Sequence, residues 1–224
     1  MKFNLSVLSI LFISLNSYGA YLESTIYEID NTTDFVSKSV INNTNRTNIY
    51  TLVAYKVNKP GSGNENIVIT NSKEVLWSPL KITLKPGEKN YFKLYYKGPK
   101  DEFERYYRVI YKESPMVVYP IKNDIKHTDV TPVVSISTIL VVRPRKINFN
   151  FYIDESTGVI KNTGNTFFRI IIQRGCNGDD ETSKQLYILP GELWRNPQVS
   201  NTNKKYIVAM NRYIQLGKGC FKNL

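Results

Sequence analysis

Histidine is nearly missing from this chain: His127 is the only one in 224 residues. A Ser-His-Asp or Cys-His centre would have to use it, and it stands in the polar stretch "KNDIKHTD" with no nucleophile motif nearby. Cysteine is almost as scarce, with Cys176 and Cys220 alone and no Cys-x-x-Cys, which excludes a zinc site of the usual spacing. A phosphate-binding loop is missing too, because "GSGNEN" at Gly61 runs into a strand pattern without the Lys-Ser/Thr that should follow. The carboxylate runs Asp101-Glu102 and Asp179-Asp180-Glu181 look like turn tips, where acids are solvated rather than catalytic. No stretch shows an apolar stripe at helical spacing over three turns. The chain reads as a protein that is not an enzyme and needs no metal or cofactor.

Long apolar runs are also lacking, with one short exception at the start. In "MKFNLSVLSILFISLNSYGA", Lys2 supplies a positive start, Leu5 to Leu15 an apolar run, and Ser17-Tyr18-Gly19 small residues. That layout is a secretory signal, residues 1–19, cleaved after Gly19 or Ala20. About 11 apolar residues are too few to span a bilayer, so no membrane insertion is expected. Acidic residues are in deficit: the whole chain carries +11, and +10 once Lys2 leaves with the signal. The basic residues are dispersed rather than striped, so the excess points to acidic partners and solubility and not to nucleic acid. In an oxidising compartment the lone cysteine pair is expected to form a Cys176–Cys220 disulfide.

What is present in quantity is tyrosine, 16 of them, with frequent Ile, Val and Thr between scattered Gly and Pro. That composition favours strands. Two segments also match in order. "VINNTNRTNIYTLVAY" from Val40 and "VIKNTGNTFFRIIIQ" from Val159 share Val-Ile-x-Asn-Thr, and each is followed by a Pro-Gly-Glu, at Pro86 and at Pro190. Pro then Gly suits a type II turn between strands. Tandem copies of one sandwich unit follow: an all-β protein of two immunoglobulin-like domains, residues 20–143 and 144–224. Between them, "TPVVSISTILVV" forms a long β-branched strand that ends at Arg143-Pro144-Arg145. Its residues are apolar on both parities, so alternation alone does not say which face is buried.

The run "YYKGPKDEFERYYRVIYKESP", Tyr95 to Pro115, followed by "STILVVRPR", resembles the periplasmic pilus chaperones, and is similar to the alternate branch that includes the common-pilus chaperones. The resemblance covers nearly the whole chain and extends to "KNTGNTFFRI" and "LPGE". It implies two domains set at an angle and a periplasmic location. It also implies a last first-domain strand that lends alternate side chains to a pilus subunit by donor-strand complementation, a form of β-augmentation. On that pattern Val134, Ile136, Thr138 and Leu140 face the subunit, and Ile139 and Val141 face the domain's own core. Glu104 and Arg143 match the family's interdomain ion pair.

The pattern also breaks. The commoner branch holds the subunit's terminal carboxylate with an Arg on the first strand and a Lys on the last. Here "YLESTIYEID" has no basic residue and the last-strand position is Ile139. Arg108 and Arg105 are the candidate anchors, since a guanidinium takes a carboxylate bidentately, although either could equally brace the core or lie in solvent. The second-domain acid that usually joins the hinge pair is not evident either. Implied partners are pilus or fimbrial subunits and an outer-membrane usher, with self-association of the free protein through the exposed strand. Two rivals share secretion and β-structure: a pilus subunit or adhesin, and a cell-surface receptor using Asn31, Asn42 and Asn45 as glycan acceptors.

Overall fold

The computed structural model describes residues 19–61, 65–69, 73–117, 132–200, 202–217 and 220. The expected signal, apart from Gly19, lies outside them, as do His127 and nearly all of the polar loop before the long strand. No helix among the described residues is long and apolar enough to cross a membrane.

The first sandwich contains β1 (Ala20–Tyr21), β2 (Ile26–Ile29), β3 (Phe35–Asn42), β4 (Asn48–Val57) and β5 (Ile67–Ile69). It continues with β6 (Val75–Ser78), β7 (Lys81–Leu84), β8 (Lys89–Tyr96), β9 (Arg105–Pro115) and β10 (Val134–Val142). One sheet runs β1-β3-β8-β6; the other runs β2-β10-β9-β4, with β5 and β7 both against β4. Side chains alternate between faces along a strand, so every second residue of β4, β8 and β9 enters the core. Tyr50, Leu52, Phe92, Leu94, Tyr96, Tyr107, Val109 and Tyr111 are buried there. Five of the 16 tyrosines, Tyr27, Tyr50, Tyr96, Tyr107 and Tyr111, belong to this core, where a ring fills volume and a hydroxyl can reach a partner at the rim. Tyr50 reaches the buried Glu113 at 3.1 Å, and Tyr27 reaches Thr138 at 3.0 Å.

The second sandwich contains β11 (Phe151–Asp154), β12 (Val159–Asn162), β13 (Phe168–Ile172), β14 (Lys184–Ile188), β15 (Leu193–Arg195), β16 (Lys205–Ala209) and β17 (Arg212–Leu216). Its sheets are β11-β12-β15 and β14-β13-β16-β17, closed over Ile160, Phe168, Ile170, Ile188, Val199 and Ile207. This core is smaller, and here Cys176 and Cys220 are bonded, with Cα atoms 5.1 Å apart and a sequence separation of 44. Closing a loop of that length stabilises by roughly 4 kcal/mol on the chain-entropy estimate.

A buried asparagine recurs in the two sandwiches, one residue out of step with the Val-Ile-x-Asn-Thr match, since Asn42 occupies its variable position and Asn162 its asparagine. Asn42 and Asn162 are each wholly buried at the end of a strand. Asn42 Nδ2 donates to the Arg46 carbonyl at 2.8 Å and the Leu84 carbonyl at 2.9 Å. Asn162 Nδ2 donates to the Thr166 carbonyl at 2.8 Å and the Ile188 carbonyl at 3.0 Å. Each also locks a Pro-Gly-Glu turn: Gly87 N donates to Asn42 O at 2.8 Å, and Gly191 N to Asn162 O at 3.1 Å. Gly87 and Gly191 sit at φ of 77° and 78°, a region that glycine enters without strain. One buried amide thus satisfies a hairpin and a distant turn together, which is why the two motifs travel as a set.

Candidate functional site

The hinge is where the two sandwiches meet. Arg143 is 5% exposed, and its Nε donates to Glu28 Oε2 at 2.5 Å while Nη1 donates to Glu104 Oε2 at 3.0 Å. Nη1 also donates to the Thr166 hydroxyl, which in turn donates to Glu104 at 2.6 Å. Glu104 further accepts from the Phe167 N–H at 2.9 Å and from the Tyr106 hydroxyl at 2.5 Å. Burial pushes the Glu104 carboxyl up from its ordinary pKa, and Arg143 opposes that shift. Glu104 and Arg143 both belong to the first sandwich and its exit; Thr166 and Phe167 carry the link into the second. The second sandwich joins the pair through a hydroxyl and a main-chain N–H. Arg145 completes the joint, donating to the carbonyls of Asn31 and Thr33 at 2.8 and 2.9 Å and pairing with Asp34. The basic hinge is therefore pinned by acids of the first sandwich.

Around the hinge lies a cleft of about 1230 Å³, lined by Tyr106, Ile139 and Val141 on one wall and Phe167, Leu189 and Trp194 on the other. Val141 and Tyr106 pack with Val57 into a small apolar cluster that Phe167 and Leu189 cover. This corrects the expected parity. Ile139 and Val141, expected in the first core, face the cleft instead. Thr138 and Leu140, expected to be presented to a partner, are wholly buried in the first sandwich. The reason is that both faces of this end are covered, one by the domain's own core and the other by the second domain. Apolar residues are then needed on both parities, and alternation carries no sign.

The strand is unequal along its length. β9 pairs with all of β10, Val134 to Val142. β2 pairs with Ile139 to Val142 alone, in parallel. Among the described residues, no strand pairs with the same edge from Val134 to Thr138. There Val134 is 46% exposed, Ser135 and Ser137 are exposed, and Ile136 is partly buried against the first core. Thr138 marks the boundary, since its hydroxyl bonds Tyr27 and also donates to the Val109 carbonyl at 2.8 Å.

Both candidate anchors are engaged within the chain. Arg105 forks onto Asp101, with both bonds at 2.6 Å, and holds that carboxyl down at about 2. Arg108 forks onto Glu65, with Nε to Oε1 at 2.9 Å and Nη2 to Oε2. Arg108 lies across from Tyr55 on β4 and Ile139 on β10, on the cleft side of the sheet. Sequence reasoning missed Glu28, Glu65 and Thr166. The i,i+4 spacing of Asp101 and Arg105 could have been read; the 43 and 115 residues separating the other acid–arginine pairs leave no local trace.

No protein-family model matches the chain. Among curated proteins it is 36% identical over 195 residues to the probable fimbrial chaperone EcpE of Escherichia coli strain K12, covering 87% of this chain and 82% of the relative. It is 29% identical over 214 residues to the probable fimbrial chaperone EcpB of Klebsiella pneumoniae strain 342, covering 94% of this chain and 96% of the relative. Among solved structures, the class 5 fimbriae chaperone CfaA superposes with a TM-score of 0.57 at 16% identity, over 88% of this chain and 98% of that one, a likeness of fold. With a relative above 30% identity matched over most of both lengths, the chain belongs to the fimbrial chaperone family.

Proposed function

We propose that this protein is a periplasmic chaperone that receives fimbrial subunits, keeps them folded, and delivers them to an outer-membrane usher. The observation that supports it most is the edge of β10 from Val134 to Thr138, which no strand among the described residues pairs, beside a cleft between two sandwiches. An exposed strand edge is a template for pairing with another chain. A subunit strand laid there would take main-chain hydrogen bonds from β10 and cover Val134 and Ile136, which is β-augmentation. The work is binding and release, with no turnover. Residues 1–19 are the export signal in this reading, and the domains divide after Arg143. Arg108 anchors the subunit's terminal carboxylate in preference to Arg105, whose fork onto Asp101 shapes its own turn. In the free protein the bare edge is a site of self-association.

The test is co-expression with a fimbrial subunit and recovery from the periplasm. A one-to-one complex is expected, with the subunit degraded when the chaperone is absent. Ile136→Asp should fold and fail to capture, because a carboxylate would be buried in the joint sheet without a partner. Full capture by a folded Ile136→Asp protein would remove β10 from the mechanism.

A further inference from the structure

Arg108 is held differently from Arg143 and Arg105. The side chains of Arg108 and Glu65 are 18% and 20% exposed, whereas those of Arg143 and Glu104 are 5% and 1% exposed. Arg105 is tied to its own turn through Asp101 and the Phe103 carbonyl at 3.0 Å. The Arg108 pair instead joins residues 43 apart in sequence and lies near the surface. Its remaining arm points elsewhere: Nη1 reaches the Ser137 hydroxyl at 3.4 Å, in the half of β10 whose edge is bare. One guanidinium therefore touches an internal carboxylate on one side and a side chain of the Val134–Thr138 half of β10 on the other.

The fork that Glu65 accepts has the geometry a main-chain terminal carboxylate would accept. Glu65 is also steadied by the Gly61 N–H at 3.1 Å, and the Arg108 guanidinium holds its carboxyl below the ordinary range. It is thus an ionised carboxylate at neutral pH, so its replacement by another leaves the charge of the site unchanged. We infer that Glu65 is the internal occupant of a carboxylate site formed by Arg108 and Ser137, and that an incoming chain terminus must displace it, an inference that rests on the chaperone reading above. Glu65 keeps the guanidinium paired while the cleft is empty and disfavours ligands that lack a carboxylate. A terminal carboxylate brings the same fork together with main-chain pairing along β10, which Glu65 cannot match.

The experiment titrates the full chain with sodium acetate at constant ionic strength and follows the Arg108 Nε–H resonance, assigned by its loss in Arg108→Lys. Removing the internal competitor, worth no more than a partly exposed ion pair, should lower the acetate midpoint by ~2- to 5-fold in Glu65→Ala. Glu65→Gln, which keeps the side-chain volume, should fall between the two and is read instead if Glu65→Ala loses its native amide pattern. Equal midpoints in wild type and variant, or an equal response to chloride, overturn the inference. Capture of a co-expressed fimbrial subunit by the wild-type chain is scored separately. Lost capture with an intact acetate difference removes the chaperone reading and leaves the site; retained capture with no acetate difference does the reverse.

Discussion

The two halves of β10 share a partner strand, but Val134–Thr138 alternates aliphatic residues with Ser and Thr whereas Ile139–Val142 is aliphatic throughout, and the two live in different surroundings. From Ile139 to Val142 the strand has β9 on one edge, β2 on the other, a core beneath and the second domain above. From Val134 to Thr138, among the described residues, it has β9 alone. The covered half behaves as an interior strand, where every backbone group is paired and each side chain is packed. The bare half leaves one edge for another chain. The change falls at Thr138, whose buried hydroxyl closes the end of the core with Tyr27 and Tyr111. One strand can thus be anchored and available at once, because its two halves are stabilised independently.

Substitutions along the strand should separate the halves sharply. The largest effect is expected at Leu140, wholly buried in the first core. Leu140→Asp puts an unpaired charge there and should cost more than ~4 kcal/mol, unfolding the first sandwich in a urea titration followed by tyrosine fluorescence. Arg143→Ala should come next, at about 3 kcal/mol, because Glu104 would remain buried without its cation. The same titration should show the loss, and two separate transitions in place of one would report that the sandwiches had come apart at the hinge. Thr138→Val keeps the shape and removes the boundary hydroxyl, for about 1 kcal/mol by the same measurement. Val134→Asp, on the same face as Leu140 but in the bare half, should change stability by no more than ~0.5 kcal/mol. A Val134→Asp loss as large as that of Leu140→Asp would erase the distinction between the halves.

Much of the architecture was legible in the sequence, because its signals are local. The repeat and its Pro-Gly-Glu turn flag a hydrogen-bonded lock that recurs in each sandwich through Asn42 and Asn162, although the Val-Ile-x-Asn-Thr match sets Asn162 against Asn43, one residue past its structural equivalent. The site was less legible. Parity could not be read from "SISTILVV", since Leu140 and Val141 are both buried, against different domains. The acids that meet Arg108 and Arg143 come from distant strands, and only the folded sheet order brings Glu65 and Glu28 to them. Thr166 left no sign for another reason: a neutral hydroxyl bridges Arg143 and Glu104, and a Thr carries no charge pattern that marks such a role.

The central claim is that the bare half of β10 is where a subunit strand pairs. Amide hydrogen exchange tests it most directly, comparing the free protein with its complex with a co-expressed fimbrial subunit. The account predicts that amides between Val134 and Thr138 gain protection in the complex, while those from Ile139 to Val142, already paired on both edges, stay as they were. A complex that forms with no change between Val134 and Thr138 would contradict it.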